Sequence, residues 1–124
     1  MKHILTCSFG KDSIATALLA LQHGEPLDEL VYSEVMFSDT VSGELPEHKR
    51  FIYETAIPYF EKRGIPTRVL RGQKTYLDCF YHIVSRGNAE GKLASFPLTG
   101  RCGIQRDCKL PPIRNYQKTL PQDT

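Results

Sequence analysis

The chain has no tryptophan, two methionines and four cysteines, and none of its apolar runs approaches the ~18 residues that a membrane span needs. Internal repeats and low-complexity tracts are missing from the first 85 residues too. The chain also lacks an excess of either charge: sixteen Lys and Arg face fourteen Asp and Glu, a net +2. That balance is too slight to argue for a nucleic-acid partner, although it leaves room for a local anion site. The start, "MKHILTCSFG", is apolar only briefly before Lys11 and Asp12, which excludes a signal peptide. Together these absences predict a cytoplasmic protein with no membrane or nucleic-acid partner. In that compartment Cys7, Cys79, Cys102 and Cys108 read as thiols or metal ligands before disulfides.

What is present is the composition of a globular protein, 40% hydrophobic over 124 residues. The length predicts a single domain spanning residues 1–124. His3 to Cys7 reads as a short buried strand. Ser13 to His23 sets Ile14, Ala17, Leu18 and Leu21 on one helical face, with Gly24 as the stop. "ELVYSEVMF", Glu29 to Phe37, has the β-branched and aromatic content of a second strand. Pro46 to Gly64 carries the clearest helix pattern, opened by Pro46 and Glu47, closed by Lys62, Arg63 and Gly64, and kinked at Pro58. Thr67 to Leu70 makes a third strand and Lys74 to Ser85 a third helix. An irregular, glycine-rich stretch runs from Arg86 to Cys108, and "PPIRNYQKTL" suggests a last short helix. Strands and helices in alternation predict an α/β fold, a three-layer parallel sheet with right-handed crossovers.

Between the first strand and first helix lies "SFGKDS", Ser8 to Ser13. In an open parallel sheet, ligands bind beyond the carboxyl ends of the strands. Successive backbone N–H groups at such a turn form an anion-binding concavity, reinforced by the helix dipole. Gly10 permits close approach or a positive φ, Lys11 supplies a mobile charge, and Ser8 and Ser13 supply hydroxyls. Asp12 would repel a bare phosphate; it fits either a helix N-cap or a Mg²⁺ ion bridging phosphate oxygens. The bland alternative is an ordinary turn closed by a cap and a glycine. The stretch does not match the P-loop pattern G-x-x-x-x-G-K-[ST].

"SFGKDS" after a strand and before a helix resembles the pyrophosphate loop (PP-loop) of the adenine nucleotide α-hydrolase superfamily. Within it the chain is most similar to the phosphoadenosine-phosphosulfate (PAPS) reductase family. "FSDT" (Phe37 to Thr40), followed by Glu44, Pro46 and Glu47, resembles that family's Asp-Thr-Gly…Glu-x-Pro-Glu segment, with one residue more. "FPLTGRCGIQRDCKLPPI" resembles its Cys…Cys-Lys…Pro stretch. The resemblance implies a protein that binds ATP or PAPS and acts in sulfur transfer, or a non-catalytic nucleotide-binding module. By the same carry-over Ser8, Phe9, Gly10, Lys11, Asp12 and Ser13 hold phosphates, with Lys11 and Asp12 the catalytic candidates. Asp39 and Thr40 lie near the nucleoside, where the rival reading is a turn cap. Arg101 and Lys109 hold the substrate anion, unless they are solvated loop charges.

Two chemistries run on the family's scaffold. ATP users cleave between the α- and β-phosphates with Mg²⁺ stabilising the departing pyrophosphate. PAPS reductases use a thiolate from a C-terminal tail, a motif that none of the four cysteines occupies. Cys102 and Cys108 stand among Arg101, Arg106 and Lys109, charges that favour thiolate. They are candidates for half of an iron–sulfur or zinc site, for ordinary thiols, or for a redox pair, although C-x₅-C is a weak metal spacing. Cys7 reads as core, and the four histidines as structural or solvated. The family's sheet has five strands ordered 3-2-1-4-5, so the resemblance implies truncation after the third strand. A three-stranded sheet would leave the edge of the first strand unpaired, which predicts a homodimer, a missing C-terminal half, or association with a chain that supplies the missing strands.

Overall fold

A strand covered on both faces and both edges has no solvent-exposed position, and Glu29–Glu34 (β2) is buried at all six. Ile4–Thr6 (β1) pairs with it in parallel on one edge and Thr67–Arg71 (β3) in parallel on the other, giving the sheet order β1-β2-β3. The computed structural model describes residues 1–95 and 103–124. The helices are Lys11–Gln22 (α1), Pro46–Phe51 (α2), Ile57–Glu61 (α3), Tyr76–Phe80 (α4) and Leu110–Gln117 (α5).

Alternation along β2 assigns its two faces. Leu30 and Tyr32 enter a core with Cys7, Phe9, Ala17 of α1, Ile52, Ala56, Phe60 and Ile65. Val31 and Ser33 point the other way, towards α5; the Ser33 hydroxyl donates to the Lys109 carbonyl at 2.9 Å. Helices therefore cover both faces of a parallel sheet, and the chain is α/β in three layers.

Several boundaries differ from the sequence expectations. The first strand is shorter than His3–Cys7 and only half-buried, because β1 is an edge of the sheet. The second ends at Glu34 and not Phe37. Beyond it the chain folds back, with Met36 bridged antiparallel to Ser42 and the Gly43 N–H on the Val35 carbonyl. α1 begins two residues before Ser13 and leaves Leu18, expected on the core face, exposed together with Leu19. Gly24 and Gly64 close their helices at φ 68° and 80°, a conformation that costs glycine little. The expected helix Lys74–Ser85 is only α4. A capping box starts it, Thr75 accepting from the Asp78 N–H and Asp78 from the Thr75 N–H. It stops because Ile83 and Val84 pair instead with the segment around Lys92 and Leu93.

The regular α-helix is interrupted just ahead of Pro58. A π-helical turn, Ile52–Ala56, joins α2 to α3, and the Ile57 N–H reaches back five residues to the Ile52 carbonyl. Widening by one residue just before the proline accommodates its ring and missing N–H. The device recurs before Pro111 and Pro112, where Gln105–Lys109 is π-helical and the Leu110 N–H bonds to the Gln105 carbonyl. In denaturant titrations Phe60→Ala, which empties a buried core site, is expected to lose about 3–5 kcal/mol. The exposed Leu19→Ala control should stay within about 0.5 kcal/mol of wild type.

Candidate functional site

β1 delivers the chain into the Ser8–Ser13 loop, and α1 begins inside it at Lys11. The residue with the unusual backbone is Phe9, at φ 60°, and not Gly10, whose φ of −75° suits any side chain. Phe9 holds this left-handed position with its ring buried in the core, edge-on to Tyr32 at 5.5 Å. A Cβ at Gly10 would meet only the Ser8 hydroxyl, at 3.6 Å. Packing thus leaves room for a side chain there, and glycine is a favoured residue at a helix N-cap.

The N-cap of α1 is Gly10, which has no side chain to cap with, so Asp12 is not the cap. The first intrahelical bond is Ile14 N–H to Gly10 C=O, and the amides of the first turn have no acceptor within the helix. Ser8 and Ser13 hydroxyls sit 3.1 Å apart at its mouth. Lys11 Nζ and Asp12 Oδ1 form a 3.0 Å pair in solvent, each side chain 91% exposed. His48, taken from the sequence as structural or solvated, places Nε2 3.4 Å from the Ser8 carbonyl and 4.0 Å from Glu44.

A cleft of about 580 Å³ opens between the carboxyl ends of β1 and β2 on one side and the Gln105–Lys109 turn with α5 on the other. Of the sequence-nominated residues, Ser8, Ser13 and Lys109 line it. Lys11 and Asp12 are not among its walls. Asp39 and Thr40 are exposed in a tight turn, where the Phe37 and Ser38 N–H groups both bond the Val41 carbonyl; they do not end a strand as expected. Arg101 and Cys102 lie outside the described residues.

Sequence reasoning missed Tyr32, Ser33, Tyr76 and Gln105, which also line the cleft, and left Glu44 without a role. Tyr32 donates to Glu44 at 3.0 Å, and burial together with that carboxylate pushes its hydroxyl far above the ordinary tyrosine range. Tyr32 thus stays a neutral donor that fixes a carboxylate at the cleft wall. The signal was available: an aromatic residue within a buried strand needs a partner for its polar end.

Behind the cleft, Glu34 is wholly buried and held by Arg71, with Nε at 2.7 Å and Nη2 at 2.6 Å from Oε1. Ser42 donates to its other oxygen at 3.2 Å. The nearby thiols pair unexpectedly. Cys108 lies with its sulfur 3.4 Å from that of Cys79, and it is buried. Burial, then the Cys79 contact, pushes its thiol up to about 12, which reverses the expectation that surrounding charge would favour thiolate. Cys7 is buried in the core as expected. Among the described residues no three His, Cys, Asp or Glu side chains gather to hold a metal. Nor is any described helix long and apolar enough to cross a membrane. No protein-family model, curated protein or solved structure matches the chain.

Two outcomes follow from these buried groups. Arg71→Met removes the close cation of the Glu34 carboxylate, leaving Lys49 Nζ at 4.0 Å, and should lower stability by about 3 kcal/mol, at the low end for a buried pair because Lys49 remains and Arg71 is half-exposed. Adding Glu34→Gln should recover much of that loss in denaturant titrations. The raised Cys108 pKa gives stability that is complete below the unfolded value of 9.0 and is lost as pH climbs towards 12. Under reducing conditions wild type should therefore lose up to about 1.4 kcal/mol per pH unit more than Cys108→Ser above pH 9.

Proposed function

We propose that this chain is a PP-loop protein of the PAPS reductase-like type that binds an adenine nucleotide, ATP or a sulfonucleotide, across the ends of β1 and β2. One observation carries the reading. The "SFGKDS" loop sits at the carboxyl end of a parallel strand, opens a helix with uncapped amides, and contributes Ser8 and Ser13 to the cleft that Lys109 also lines. Donors of that kind suit phosphate or sulfate oxygens.

In this reading the first-turn amides and both serines hold the phosphates, and Lys11 swings from its solvent pair with Asp12 to neutralise them. Glu44, oriented by Tyr32, accepts from a ribose or substrate hydroxyl. Asp12 is the carboxylate best placed in sequence to meet a Mg²⁺ ion carried on the phosphates, and that ion would supply charge neutralisation for a leaving pyrophosphate. An iron–sulfur cluster is no part of the proposal. The alternative is a module that holds the nucleotide without turnover, favoured by the absence of Lys11 and Asp12 from the cleft walls. The partner reading follows the edge of β1, which pairs only with β2 among the described strands. A strand from a second copy or another chain would protect it.

The test is a thermal-shift titration with ATP, AMP, adenylyl sulfate and PAPS, with and without Mg²⁺, on wild type and Lys11→Ala. A nucleotide at 100 times its Kd should stabilise wild type by about 2.7 kcal/mol, and Lys11→Ala should remove most of that. No shift with any of the four would overturn the proposal. Pyrophosphate release on adding ATP and Mg²⁺ then separates an enzyme from a binding module.

A further inference from the structure

Away from the loop, two sulfurs that the sequence keeps 29 residues apart meet beneath the cleft wall. Cys79 is on α4, and Cys108 is on the π-helical turn before α5; their Sγ atoms are 3.4 Å apart. A disulfide needs about 2.05 Å, so closure asks for little more than about 1.4 Å of movement. The two thiols also differ in access. Cys79 is partly exposed and lines a cleft of about 330 Å³ with Lys74, Asp78, His82, Arg106 and Asp107. Cys108 is wholly buried behind it, its thiol directed at the Thr75 carbonyl at 3.5 Å. Its backbone is held as well, since the Cys108 carbonyl would lie 2.7 Å from a Cβ placed on Gly72. One sulfur that reagents can reach and one fixed directly beneath it make an attacking and a resolving thiol.

We propose that Cys79 and Cys108 form a reversible intramolecular disulfide by exchange with a low-molecular-weight disulfide, RSSR. The Cys79 thiolate attacks one sulfur of RSSR, forming Cys79–S–SR and releasing RS⁻. The Cys108 sulfur then attacks Sγ of Cys79, the Cys79–SR bond breaks, and the Cys108 proton leaves with the departing thiolate as RSH. The protein loses two electrons and RSSR gains them, as two RSH once the first RS⁻ is protonated. The new bond ties α4 to the turn whose Ile104, Gln105 and Lys109 line the larger cleft. Oxidation therefore ties that wall to α4. This site is independent of whether a nucleotide binds.

The experiment equilibrates the folded protein in buffers of rising glutathione disulfide to glutathione ratio, blocks free thiols by alkylation, and maps linked peptides by mass spectrometry. The expected product is a Cys79–Cys108 cross-link that glutathione reverses, with Tm raised by roughly 10 °C for a loop of this length. Cys79→Ser should abolish the cross-link and the Tm rise, whereas Cys102→Ser should leave both. Linkage of Cys108 to Cys102, a Cys79–glutathione adduct that never resolves, or free thiols in the most oxidising buffer would each overturn the proposal. Cys79→Ser and Cys102→Ser carry the decision, since both leave the buried Cys108 in place.

Discussion

Two buried carboxylates, one at each end of β2, hold the sheet in a single register. Glu29 at its start accepts from Tyr116 of α5 and lies 3.4 Å from both Arg68 of β3 and Lys2. Glu34 at its end is gripped by Arg71, its direct cross-strand neighbour. Burial of Leu30 and Tyr32 on one face of β2 already ties its register to the core, and the two acids add a second constraint. Here a one-residue slip would separate both acids from their arginines and leave buried charge uncompensated, which costs several kcal/mol in itself. The charges specify more than they stabilise. They fix where β2 ends, and with it where the cleft begins.

The second constraint is proline. Pro58, Pro111 and Pro112 each lie where a helical rod must continue, and in both places the preceding turn widens to π geometry. The consequence is more than local. The second widened turn carries Cys108 and Lys109, so the same distortion places a sulfur against Cys79 and a lysine at the cleft. Proline in this chain shapes a site without touching it.

Most of the architecture was legible because it rests on local signals: apolar runs at Ile4–Thr6 and Glu29–Glu34, helix periodicity after Lys11 and Pro46, and glycine stops at Gly24 and Gly64. Helix four was overextended because Ile83 and Val84 suit a helix period and a pairing with Leu93 equally well, and a non-local partner decided between them. Of the candidate site, the loop and Lys109 were readable from residue type and order. The Tyr32–Glu44 and Cys79–Cys108 contacts were not, because each joins segments whose proximity depends on the sheet and on the π turn. The strained residue was misplaced for a simpler reason: glycine is the ordinary occupant of positive φ, and here Phe9 takes it.

That substitution of roles has its own meaning. A phenylalanine in the left-handed region is disfavoured by roughly 1–2 kcal/mol, and burial of its ring, about 1.5–3 kcal/mol, offsets this. The ring acts as a peg driven from the loop into the core, so the backbone on either side is held in its curved form before anything arrives. A glycine at the same position would adopt the curve as readily but wander from it. The curve of the loop is therefore set in folding, so under the proposed function the entropy of ordering it would not be charged to binding.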